Sequence, residues 1–211
     1  MQTTTPPYPA TLQIDYPDVL DRLTTFFRIF AAIPILIVLG LLSRPGEEAG
    51  RTGTGADWGW AGIGILFLPV LLLILFRQKY PRWWFDWNLE LTRFALRVGA
   101  YLALLRDEYP STDEEQAVHV DLVYPGVRVE LNRWLPLVKW FLAIPHYIVL
   151  FLLYIGAVVV VIVAWFAILF TARYPRGLFD YVVGVMRWHL LVAAYAFILI
   201  TDRYPPFSLE E

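Results

Sequence analysis

The chain has no cysteine, which excludes a disulfide framework, a thiolate metal site and a cysteine nucleophile. Charge is scarce as well: 17% of the 211 residues are Asp, Glu, Lys or Arg, against about 25% in an average soluble domain. The formal net charge of -2 supplies no basic excess for nucleic acid, so no nucleic-acid partner is expected. The three histidines, His119, His146 and His189, are scattered, and a metal site needs three or four convergent ligands, so no metal or cofactor is expected. There is no phosphate-cradling glycine loop, nucleophile elbow, paired-histidine protease motif or kinase signature. Gly53-Thr54-Gly55 lacks the rest of any nucleotide fingerprint. No catalytic constellation emerges, and a lipid-modifying enzyme is the least supported class. Residues 1–16 lack the basic start and small-residue cleavage site of a secretory signal, so the first apolar run is expected to be a mature membrane segment.

What the chain has in abundance is apolar surface. Residues of the AVILMFWYC set make up 58% of it, and the mean hydropathy is +0.55. Two apolar runs, Leu23–Leu42 and Trp58–Phe76, are each close to the ~20 residues that cross a ~30 Å hydrocarbon core. A polar, glycine-rich loop over 43–59 separates them. The third run, Trp134–Thr171, is 38 residues long, roughly 57 Å as one helix. A single tilted helix is one reading. The other is a pair of spans over 135–153 and 157–172, turning at Tyr154-Ile155-Gly156.

Internal repetition favours the pair. Leu75–Arg82 matches Leu169–Arg176 at an offset of 94, and the same offset carries Asp86 onto Asp180, Arg93 onto Arg187 and Tyr101 onto Tyr195. Asp107-Glu108-Tyr109-Pro110 matches Asp202-Arg203-Tyr204-Pro205 with one residue inserted, and Arg28–Pro34 resembles Lys139–Pro145. The chain therefore divides into two copies, 8–110 and 117–207. Each opens with a period-2 alternation, Leu12-Ile14-Tyr16 and Val118-Val120-Leu122, which predicts a half-buried strand. Pro125-Gly126 predicts a turn into a hairpin through Val127, Val129 and Leu131. The two copies' strands can meet in a small sheet on the polar side.

Each copy ends in an ambiguous helix, Trp83–Leu105 and Leu178–Ile200. If these cross the bilayer, the copies are inverted. If they lie in the interface, 15 of the 17 Lys and Arg residues share one side, leaving Arg44 and Arg51 on the other. That bias favours interfacial helices and cytoplasmic termini. The expected fold is thus an all-α integral membrane protein of the cell membrane: a duplicated transmembrane hairpin with four spans, two interfacial amphipathic helices and a small cytoplasmic β element.

The candidate polar site is a stripe on these helices. Asp86, Glu90, Arg93 and Arg97 fall within a 60° sector at 100° per residue, and Asp180 and Arg187 repeat part of it. The stripe either holds a headgroup, ion or partner, or anchors the helix against the sheet or the other copy. His146 follows Pro145 inside an apolar run, where an ionisable residue is a functional candidate by default. The first copy has Ile35 in its place, which favours a lone hydrogen-bonded histidine. Pro34 and Pro145 are expected to kink their helices. Tyr-Pro occurs seven times, consistent with markers of helix boundaries at the headgroup level.

Arg133-Trp134-Leu135-Pro136-Leu137-Val138-Lys139-Trp140, then Ala143–Tyr147, Phe170–Asp180, Arg187-Trp188 and Asp202–Phe207, resemble a prokaryotic membrane-protein family, domain of unknown function 4389. The second copy carries the resemblance over most of its length. The first lacks the histidine after Pro34 and has the 43–59 loop. The resemblance implies a multi-pass protein of a bacterial or archaeal membrane, and it transfers no catalytic residue. The leading expectation is a non-enzymatic module that binds lipid, including anionic headgroups, or a protein partner through its basic face. Homo-oligomerisation is a further expectation, and a small transporter or channel is the alternative.

Overall fold

The computed structural model describes residues 8–43, 61–112 and 114–210, with the side chains of 41–43, 61–67 and 128 outside that description. The expected polar loop over 43–59 lies almost wholly outside the described residues. The first half contains β1 (Ala10–Ile14), α1 (Arg22–Ser43), α2 (Ala61–Arg77) and α3 (Arg82–Leu102). The second contains β2 (Val118–Leu122), α4 (Val127–Glu130), α5 (Pro136–Leu142), α6 (Ile144–Thr171) and α7 (Arg176–Ala196).

The period-2 segments are the strands. Ala10, Leu12 and Ile14 are buried, as are Val118, Val120 and Leu122, while Thr11, Gln13, His119 and Asp121 are exposed. The strands pair antiparallel with Leu12 opposite Val120 at the centre, so the expected meeting of the two strands is observed. Asp21 starts α1, its Oδ1 accepting the Leu23 N–H at 2.9 Å. Pro81 and Pro175 precede α3 and α7 with φ of -63° and -62°, the value the pyrrolidine ring imposes.

The α3–α7 pair forms the middle layer. The sheet covers one side of it: β1 packs on α7 and β2 on α3, each strand on the other half's helix. On the other side α6 runs along α7, and Ala32 and Ile35 of α1 pack on Phe94, Val98 and Tyr101 of α3. One apolar cluster joins both strands to Val70 and Ile74, Leu96, Ala164 and Ile168, and Leu190. α1, α6 and α7 are long and apolar enough to cross a membrane. They differ in cover: 61% of the apolar window of α7 is buried by protein, against 17% for α6.

Three expectations are corrected. α6 is unbroken through Tyr154, Ile155 and Gly156, so the second half has no transmembrane hairpin there and the four-span arrangement does not follow. Gly156 serves packing instead. A Cβ there would lie 2.5 Å from the Tyr181 hydroxyl, which donates to the Leu153 carbonyl at 3.0 Å. The segment after Pro125-Gly126 forms the helical turn α4, with Glu130 Oε2 accepting the Gly126 N–H at 2.8 Å. Pro145 occupies the first turn of α6, where its missing N–H costs nothing, whereas Pro34 does lie inside α1.

Backbone oddities recur in both halves. Among the described residues, Gln78, Leu104, Ala172 and Leu199 take positive φ without being glycine. Gln78 and Ala172 follow α2 and α6; Leu104 and Leu199 follow α3 and α7. A left-handed leucine is uncommon, and here it occurs twice at matching places.

Candidate functional site

The stripe residues of α3 and α7 meet the sheet. Arg93 Nε donates to the Val120 carbonyl at 3.0 Å, Nη1 to Glu90 at 2.7 Å and Nη2 to Asp121 at 3.3 Å. Arg187 Nε donates to the Leu12 carbonyl at 3.2 Å and Nη1 to the Leu209 carbonyl at 3.4 Å. Leu12 and Val120 are the central register pair, so the two arginines clasp the sheet from its two strands. Arg97 Nη1 donates to the Ser111 carbonyl at 2.8 Å. Asp86 and Asp180 are exposed on earlier turns of the same helices. His146 is brought to none of these groups.

His146 is fully buried on the far side of α7, where its Nδ1 accepts the Trp188 indole N–H at 3.1 Å. Its ring stacks on Phe207 with centroids 4.0 Å apart, and Tyr204 lies 4.7 Å away. The C-terminal segment thus closes over the histidine. Nε2 has no hydrogen-bond partner.

Two buried cations form a second pair of matched sites. Arg28, 2% exposed, donates to the Tyr101 carbonyl at 3.1 Å, the Arg106 carbonyl at 3.0 Å and the Asp107 carboxylate, and sits over the Tyr101 ring. Lys139, wholly buried, donates to the Thr201 carbonyl at 2.6 Å, pairs with Asp202 at 2.6 Å and sits over the Tyr195 ring. Burial pulls the Lys139 ammonium below its ordinary pKa, and Asp202 opposes that pull. Beside Asp107, burial works against the charge on Glu108. Donation from Arg106 and the Ala117 N–H outweighs it and holds the carboxyl below its usual range.

The Tyr-Pro tyrosines interlock the halves. Tyr16 donates to the Tyr174 carbonyl and Tyr124 to the Tyr80 carbonyl, each at 2.5 Å. Arg176 covers the Tyr16 ring and Arg82 the Tyr124 ring, both at 4.7 Å. Tyr80 and Tyr174 are core residues, 3% and 0% exposed, and burial pushes both phenols well above their ordinary pKa. They are therefore packing elements rather than headgroup-level markers.

Between α3, α6 and α7 lies an apolar cavity of about 640 Å³ whose lining includes Leu96, Gly99, Ala157, Met186 and Leu190, with His189 and Asn88 among its polar members. Gly99 allows the close approach of Met186, whose methyl would lie 3.3 Å from an added Cβ. Among the described residues, no three His, Asp or Glu side chains are grouped to hold a metal ion.

The sequence displayed the matching segments that supply the cation sites but not their pairing. The signal was present in the co-occurrence: Arg28 and Lys139 match, and so do Asp107 and Asp202. Similarly, the partners of Arg93 and Arg187 are main-chain carbonyls, which leave no residue signature.

Against this geometry, residues 134–208 match the model of a family described as a domain of unknown function (DUF4389). The match covers β2's half of the chain from just before α5, including Lys139, His146, Arg187 and Asp202, and brings no activity with it. No curated protein and no solved structure matches the chain.

Proposed function

We propose that the chain is a tandem duplication, 8–110 and 117–207, forming a non-enzymatic membrane module that holds anionic lipid headgroups at the margin of its apolar face. The observation that carries this is the pairing of exposed basic and exposed apolar residues at the helix ends. Arg22 adjoins Leu23, Arg77 adjoins Phe76, Arg133 adjoins Trp134, and Arg173 lies three residues beyond Phe170. Arg22 and Arg133 also donate to the Phe170 and Leu75 carbonyls, at the C-terminal ends of α6 and α2. Basic residues near an anionic surface contribute about 1 kcal/mol each.

The duplication is supported by contacts that recur at corresponding residues: Arg93 with Arg187, Arg28 with Lys139, Tyr16 with Tyr124, and the positive-φ pairs. The location that suits this module is the cytoplasmic leaflet of a prokaryotic cell membrane, with the sheet and both termini on the cytoplasmic side.

The test is thermal unfolding of purified protein in detergent, with phosphatidylglycerol or phosphatidylcholine added. Phosphatidylglycerol is expected to raise Tm more, and Arg77→Gln, Lys79→Gln and Arg173→Gln combined should remove the difference. Equal shifts for the two lipids would overturn headgroup selectivity. Ion flux through proteoliposomes, lost in Arg93→Ala plus Arg187→Ala, would replace this reading with a transport function.

A further inference from the structure

The orientation of α6 follows from what lies on another face of α7. Tyr181, Trp188 and Val192 of α7 face α6, through the Leu153 carbonyl, His146 and Leu150. Arg187, Leu191 and Gly184 face β1, Tyr8 and the C-terminal segment, through Leu12, the Tyr8 hydroxyl and Leu209. At 100° per residue these two sets are centred about 90° apart. The sheet and α6 therefore cover different sides of α7.

The strand also runs the length of α7. Tyr8, just before β1, donates to the Leu191 and Arg203 carbonyls near the C-terminal end of α7. Tyr16, just after β1, donates to the Tyr174 carbonyl at the other end. Those ends are the ends of α6 as well. Tyr204 donates to the Leu142 carbonyl just before α6, and the Leu20 N–H donates to the Ala172 carbonyl just after it.

Any orientation that carried α6 across the bilayer would carry the sheet across with it. β1 pairs with β2 alone among the described residues, so neither outer edge carries a third strand, and Arg187 and Arg93 reach the Leu12 and Val120 carbonyls there. Thr11, Gln13, Asp15, His119 and Asp121 are exposed on the sheet's outer face, and their charged and polar side chains suit hydrocarbon no better. Open sheet edges do not occur in hydrocarbon, because unpaired N–H and C=O groups have no water there. The length of α6 agrees: 28 residues extend about 42 Å, well beyond a ~30 Å hydrocarbon core.

We infer that α6 does not cross the membrane but lies along its plane, embedded from one side. Its exposed face, Ile148, Phe151, Ile155, Val159, Val163 and Phe170, occupies the acyl chains of a single leaflet. The periodicity of that face fits, since its members recur every three, four or seven residues along one side of the helix. The α3–α7 layer then sits at headgroup depth, and the sheet faces water. The partner of this surface is one lipid leaflet, and the chain is a monotopic wedge. The inference rests on the proposal that the chain resides in a membrane, and the experiment separates the two.

The absence of cysteine provides a clean background for labelling. Val129→Cys, Arg173→Cys and Ile155→Cys place single thiols before, after and in the middle of α6, all at exposed positions. A membrane-impermeant maleimide is applied to sealed vesicles of known orientation from outside, and after gentle opening from inside. The first two thiols should label from the same side, and Ile155→Cys should stay protected from both sides until detergent is added. Labelling of Val129→Cys and Arg173→Cys from opposite sides would overturn the wedge while leaving a membrane protein. Labelling of Ile155→Cys from the side opposite the other two would also overturn it, in favour of a hairpin. Release of the chain by alkaline carbonate, with Ile155→Cys open to water, would overturn the membrane reading and the wedge together.

Discussion

In the first half of the molecule a guanidinium spreads its donors over two carbonyls and a carboxylate; in the second, an ammonium reaches one carbonyl and one carboxylate. Arg28 and Lys139 occupy matching places, each over a tyrosine ring and beside an aspartate from the segment after the half's last helix. The difference lies in what happens when the aspartate is removed. Arginine keeps its proton under all ordinary conditions, whereas a buried lysine can release one. The first half is thus held by a permanent charge and the second by a titratable one.

The most severe way to expose that asymmetry is to remove the carboxylates. Asp107→Ala leaves a buried guanidinium without its counter-ion and is expected to destabilise by about 3–5 kcal/mol. Asp202→Ala should cost less, and its cost should shrink as pH rises. The folded pKa of Lys139 lies below its unfolded value, so the variant gains stability as pH climbs toward the unfolded value and loses it as pH falls. Chemical denaturation of both variants at pH 7 and pH 9.5 checks this; equal costs at both pH values for Asp202→Ala would contradict it.

A smaller contrast concerns the sheet clasps. Arg93→Ala and Arg187→Ala each remove a charged donor from a strand carbonyl, which is expected to cost about 1.5–3 kcal/mol. Hydrogen exchange at β1 and β2 should rise in each variant, with Arg187→Ala acting on β1 and Arg93→Ala on β2. Gly156→Ala probes the correction to α6. In an unbroken helix with room for a methyl group, alanine would add stability. Because the Tyr181 hydroxyl occupies the space, the change is expected to cost about 1–3 kcal/mol, with most of that recovered in Gly156→Ala plus Tyr181→Phe.

The smallest effects come from the helix ends and the surface. Ala172 is left-handed at φ 55°, so Ala172→Gly is expected to stabilise by about 0.5–1 kcal/mol. The matched change Gln78→Gly should do the same in the first half. Glu108, held below its usual pKa, contributes stability that is present above the unfolded carboxyl pKa and fades as pH falls through the folded one. Glu108→Gln should therefore flatten the acid limb of the stability curve slightly, measured between pH 3 and 6.

Much of the architecture could be read from residues whose signals are local. The alternation of Leu12 and Ile14 with Thr11 and Gln13 marked β1, and the repeated Tyr-Pro-Arg marked the starts of α3 and α7. Gly156 misled because glycine signals both a turn and a close approach, and only the position of Tyr181 distinguishes them. Val127, Val129 and Leu131 alternate like a strand, but Glu130 returns to the Gly126 N–H and winds the segment into α4. Of the candidate site, the recurrence of Arg93 and Arg187 was visible. Their ligands, the carbonyls of Val120 and Leu12, are common to every residue and could not be singled out.

The clasp between Arg187 and Leu12 joins residues 175 positions apart. At a synthesis rate of about 5–20 residues per second, the strand at the start of the chain waits roughly 9–35 s for the helix that will cover it. During that interval Ala10, Leu12 and Ile14 lack the α7 surface that covers them, and β2 has not yet been made for most of it. The making of α7, rather than the emergence of either half, therefore times the completion of the fold. A nascent chain stalled before α7 would carry β1 uncovered and aggregation-prone.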